Sequence, residues 1–134
     1  MAGTRRDMMK AAAVGGAAMI AGGAAAQTAG AGSNIAHHVL FWLKRSGSEE
    51  DRAALIAGLQ DLAKIKEILS LQVGVPASTE SRDVVDASFD VSELMMFDSL
   101  ADQKIYQDHP LHQAFIAKHS NLWRKVVVYD VRTV

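Results

Sequence analysis

Phe89-Asp90-Val91-Ser92-Glu93-Leu94-Met95-Met96-Phe97 is the stretch on which the fold turns. Phe89, Val91, Glu93, Met95 and Phe97 fall on one side and Asp90, Ser92, Leu94 and Met96 on the other, the period of two that a pleated strand requires. Residues 68–75 alternate in the same way, with Leu69, Leu71 and Val73 against Ile68, Ser70 and Gln72, and close at Gly74 to Pro76. Only residues 77–86, polar and without a period, separate the two strands. Two strands therefore follow one another with no helix between them.

Upstream, residues 35–43 are apolar and aromatic apart from His37 and His38, which is too short a run for a long helix and rich in strand formers. Ser48 before Glu49-Glu50-Asp51 supplies an N-cap and an acidic first turn, so a helix follows with Ala54, Leu55, Leu59, Leu62 and Ile65 near one face. Downstream, Asp98 or Ser99 can cap a helix over 100–107, and Pro110 ends it and starts another over 111–122. That second piece places His112, Phe115, Ile116 and His119 along one stripe. Residues 126–131 form a last strand. Strand, helix, strand, strand, helix, strand is the order of an α+β, ferredoxin-like βαββαβ domain over residues 34–134, an antiparallel sheet with helices on one face. The bare face needs a cover, and a second copy of the chain is the simplest one, which predicts a homodimer.

The N-terminus reads as an address. Arg5-Arg6-Asp7-Met8-Met9-Lys10, a mild Ala/Gly-rich run and Ala24-Ala25-Ala26 are the charged, apolar and small-residue regions of a secretory signal, in order. The paired arginines resemble a twin-arginine (Tat) signal, so residues 1–26 are expected to direct export to the periplasm, with residues 27–33 as a linker. The alternative is a retained anchor, for which a central run of about 15 small residues is short against the roughly 20 that span a bilayer. No stable membrane insertion is expected after processing.

Hydrophobic residues make up 49% of the 134 and charged residues 22%, which excludes a disordered chain. No cysteine is present, so disulfides, thiolate metal sites and a cysteine nucleophile are excluded. Without Arg5, Arg6, Lys10 and Asp7, 11 basic residues face 14 acidic ones, and nothing basic enough to hold nucleic acid survives.

His38-Val39-Leu40-Phe41, Val73-Gly74, Phe89-Asp90, Phe97-Asp98-Ser99, the run from Tyr106 through His109-Pro110 to His112, and Tyr129-Asp130 together resemble the stress-responsive dimeric α/β barrel (Dabb) family. The resemblance covers nearly all of residues 35–131 and implies a subunit that pairs sheet to sheet with its twin. It also implies kinship with a cofactor-free polyketide cyclase of that family, olivetolic acid cyclase, which uses a Tyr and a His in the same run. Those positions are Tyr106 and His112 here, with Trp123 and His38 matching residues at that enzyme's pocket. The chain departs from it at Val91, where the cyclase has a His, and at Glu93, which replaces an apolar wall.

Two function classes follow: a non-catalytic dimer binding a small organic ligand, or a cofactor-free enzyme in which His112 acts as general base and Tyr106 stabilises an enolate oxygen. Against the second, the Tyr-x-x-His-Pro-x-His run can be a folding element alone, with His109 capping the post-proline helix. His109 and His112 lack a third ligand, so no metal and no cofactor is expected. His37 and His38 point to opposite sheet faces, and the family match favours His38 for the pocket. Glu93 interrupts an apolar face; either it is a pocket carboxyl near His38 or His112, or a bulge turns it to solvent. The candidate ligand-binding residues are thus His38, Glu93, His109 and Trp123, with Met95, Met96, Phe115 and also Trp123 more simply read as core.

Overall fold

The structure is a computed structural model that describes residues 34–134; the expected signal and linker lie outside the described residues. Its elements run β1 (Ile35–Leu43), α1 (Glu49–Asp61), β2 (Ser70–Gly74), β3 (Val91–Phe97), α2 (Leu100–Asp108), α3 (Pro110–His119) and β4 (Trp123–Arg132). The sheet order is β2-β3-β1-β4, every neighbouring pair antiparallel. This is the ferredoxin-like arrangement, in which the first strand ends up in the middle because β4 returns to its free edge.

Local chemistry sets the boundaries. Ser48 accepts a hydrogen bond from the Asp51 amide at 3.2 Å and starts α1, which turns Leu55 and Leu59 into the core and leaves Ala54 exposed. Ser99 caps α2 in the same way through the Asp102 amide, 3.1 Å away. At His109 the backbone is extended, as the residue before a proline prefers, and its Nδ1 accepts from the Leu111 amide at 3.0 Å, which satisfies one of the donors left free in the first turn of α3.

Two edges differ from the periodicity. β2 begins at Ser70, and Leu69 is 60% exposed because the chain arrives through a turn that donates the Ile68 amide to the Ile65 carbonyl and swings Ile68 inward instead. β3 begins at Val91 because Asp90 is buried and turns aside to accept the Leu43 amide and the Ser46 hydroxyl, at 2.9 and 3.0 Å.

The helices cover one sheet face. Ile35, Val39, Phe41 and Leu43 of β1 and Val91, Met95 and Phe97 of β3 are buried there against Leu55, Leu59, Leu62 and Ile65. On the opposite face, Leu94 pairs with His38, and Met96 with Ala36, while Tyr129 and Val131 of β4 are more than half exposed. That second face sets Leu40, Leu94, Met96 and Val131 beside the polar His38, Ser92 and Gln72 and, among the described residues, carries no helix.

Candidate functional site

Between the sheet and α2–α3 lies a cavity of about 260 Å³. β1 contributes His37, Val39 and Phe41, β3 contributes Glu93, α2 and α3 contribute Tyr106, His112 and Phe115, and β4 closes one side with Trp123, Val126 and Val128. An apolar cavity of roughly 150 Å³ already accepts benzene, so this one has room for an aromatic ring with one or two substituents.

Pro110 brings the two residues of the Tyr-x-x-His-Pro-x-His run together. By ending α2 and re-starting the chain as α3, it turns His112 back over Tyr106, and the ring centroids stand 4.6 Å apart. His112 Nδ1 lies 3.1 Å from the Gln107 carbonyl, which only accepts, so Nδ1 carries the hydrogen and Nε2 keeps its lone pair. Burial, and secondarily His37, hold the His112 pKa below its ordinary 6.5, although the Gln107 bond opposes them. The ring is therefore a neutral base at pH 7.

Glu93 is 2% exposed, at the register position opposite Val39 and Val73. Burial alone pushes its carboxyl up to about 8, and among the described residues no hydrogen bond offsets that effect. At neutral pH it is mostly the protonated acid, which donates. Tyr106, 1% exposed, is pushed up as well, first by burial and then by the charge Glu93 would carry, so its phenol also stays protonated. No bulge turns Glu93 outward; it is buried among the walls of the cavity.

His37, not His38, is the first-strand histidine of the cavity. Its Nδ1 donates to Asp130 Oδ1 at 2.6 Å, and Gln103 Nε2 donates to the same oxygen at 3.1 Å. His38 sits on the bare face, 3.0 Å from Ser92 Oγ. Its assignment to the pocket is corrected: odd-numbered residues of β1 meet the helices, and His38 is even. His109 is corrected too, since its ring is spent on the Leu111 amide and is not among the cavity's walls. Trp123 does line the cavity, packed at 5.0 Å from Phe41 and 5.8 Å from Phe115.

Asp130 and Gln103 are the residues that sequence reasoning missed. The signal for Asp130 was its place one residue after Tyr129 in a strand that pairs with β1, but it acquires meaning only once the register sets it opposite His37. Among the described residues, no group of three or more His, Cys, Asp or Glu side chains is placed to hold a metal ion.

Residues 35–133 match the profile of the Stress responsive A/B Barrel Domain family. No curated protein matches. Among solved structures, the chain is similar to the hydroxynitrile lyase of Passiflora edulis, with a TM-score of 0.66 and 21% identity over 77% of this chain and 95% of that one. It is similar to a Dabb family protein of Mesorhizobium loti with a ferredoxin-like fold, with a TM-score of 0.63 and 20% identity over 75% and 97%. A dimeric ferredoxin-like protein of unknown function from Thermobifida fusca gives 0.61 and 22% over 75% and 92%. At these identities the likeness is one of fold.

Proposed function

The chain belongs to the stress-responsive A/B barrel family, and from that premise we propose that it works as a homodimer, joined through its bare sheet face, that binds a small organic molecule in the cavity of each subunit. The observation that carries the ligand reading is a space of about 260 Å³ whose walls are apolar except for a few convergent polar groups, the usual make-up of a small-molecule site. Similar folds that are themselves described as dimeric support the pairing.

A second reading is favoured by one particular observation, the bond from His112 Nδ1–H to the Gln107 carbonyl, which leaves Nε2 as a fixed acceptor beside the Tyr106 ring. That is the arrangement of a cofactor-free enzyme in which the imidazole takes a proton from carbon next to a carbonyl and the phenol holds the oxygen. The hydroxynitrile lyase of Passiflora edulis has a similar fold, so the fold is compatible with an enzymatic role. Phenylacetone in D2O tests both readings by NMR. The wild type is expected to bind it and to speed exchange of its α-protons, and His112→Ala to slow that exchange by about 10²–10⁴-fold. Equal binding and equal exchange in the two proteins would remove His112 from the site.

Export to the periplasm by the twin-arginine route is proposed from Arg5-Arg6 and the segment after them. A reporter fused to residues 1–33 is expected to cross the inner membrane, and Arg5→Lys with Arg6→Lys to stop it. Unchanged export in the double variant would rule that route out.

A further inference from the structure

Glu93 is out of place in an apolar wall. An acid that is 2% exposed and, among the described residues, without a hydrogen bond is desolvated to the fold's cost unless something in the cavity uses it. It reaches the cavity from the sheet side and Tyr106 from the helix side. They are close enough for a charge on Glu93 to act on the phenol.

We infer that Glu93 and Tyr106 form a two-donor hole for the oxygen of a small aldehyde, ketone or ester, with the Glu93 carboxylic acid as the second donor. This deepens the enzymatic reading above and rests on it. In the step, His112 Nε2 takes a proton from the carbon beside the carbonyl. The electron pair of that C–H bond forms the C=C bond, and the carbonyl π pair moves onto oxygen. The enolate oxygen then accepts from the Tyr106 hydroxyl and the Glu93 carboxyl, and reversal or protonation elsewhere on the enolate completes the turnover. No other reactant is needed.

An ionised Glu93 would oppose this, so its surroundings matter. β1 presents His37, held by Asp130 of β4, and also Val39; β2 presents Val73, α2 Tyr106 and α3 His112. No lysine or arginine lines the cavity to draw the carboxyl into its charged form. The protonated acid is the resting state at pH 7 and disappears as pH rises through about 8. Protonation of His112, below its ordinary 6.5, sets the acid limit.

The probes are 4-nitrophenol, which mimics the enolate oxygen, nitrobenzene, which has no such oxygen, and benzylamine, a cation. At pH 7 the wild type is expected to bind 4-nitrophenol at least tenfold more tightly than nitrobenzene, with a larger fraction of it absorbing as the phenolate than in free solution at the same pH. Glu93→Leu should lose about tenfold or more for 4-nitrophenol and keep nitrobenzene. Glu93→Gln, whose amide still donates, should stay within about threefold of wild type at pH 7. Above pH 8, wild-type affinity should fall by about one further factor of ten per pH unit than that of Glu93→Gln, because only the carboxyl ionises. If nitrobenzene binds as well as 4-nitrophenol, or benzylamine binds best and gains affinity through pH 8, the hole is overturned while the cavity remains a binding site. If none of the three binds, the small-molecule reading falls with it.

Discussion

Glu93→Met is expected to make the protein more stable, and by an amount that grows with pH. The sign follows from the direction in which burial moves the carboxyl. Its pKa in the folded domain, about 8, lies above the ordinary 4.5, so between those values the folded state holds a proton that the unfolded chain has released. The contribution of Glu93 is fully present below pH 4.5 and is lost as pH rises toward 8. At about 1.4 kcal/mol per pH unit the ceiling is about 5 kcal/mol, and water entering the cavity reduces it to roughly 2–4. Methionine has nearly the same volume and no proton to lose. The advantage of the variant should therefore be small at pH 5 and reach a few kcal/mol at pH 8. His112 gives the opposite slope: its pKa is lowered on folding, so its contribution is complete above 6.5 and declines as pH falls below that. Both proteins share that acid limb. Urea unfolding at pH 5, 6.5 and 8, at one protein concentration, checks this; parallel curves for the two proteins would show that the carboxyl is not desolvated in the folded domain.

Leu94→Glu should produce a monomer. Leu94 lies across from His38 on β1 and Gln72 on β2, central on the sheet face that bears no helix. A carboxylate buried there without a partner costs about 3–5 kcal/mol, and a two-fold interface would present it twice. Association should weaken by a factor of about 10³ or more. Sedimentation at micromolar concentration reads the result, with wild type expected to run as a dimer. The cavity lies on the other side of the sheet, so nitrobenzene binding should survive the substitution. A monomeric wild type would refute the proposed interface, and a dimeric variant would move it elsewhere on the surface.

Much of this architecture is legible in the residues, for reasons that can be named. β1 spans Ile35–Leu43 as its composition suggests, and Ser48, Ser99 and Pro110 mark helix boundaries because each acts on backbone within a few residues of itself. What sequence obscured is decided at longer range. Arg124 and Lys125 do not look like strand, yet β4 runs from Trp123 because β1 offers it a full-length partner. Both parities of β1 are apolar, which gave no means of choosing between His37 and His38 for the pocket; that choice needs the position of the helices. Glu93 was equally undecidable until the β1–β3 register placed it opposite Val39. Tyr106 and His112 were named through a family likeness, and the turn at Pro110 is the physical reason they meet.

Alternation along β1 has a further consequence for how such a protein can diversify. Residues 35, 37, 39 and 41 look toward one compartment of the molecule and 36, 38, 40 and 42 toward the other, in a layer a single strand thick. Specificity can thus be rewritten at every second position while the surface offered to a twin stays untouched. The same economy makes the strand intolerant of losing a residue: one deletion at its start would exchange the two sets downstream, sending His37 and Val39 outward and His38 and Leu40 into the chamber.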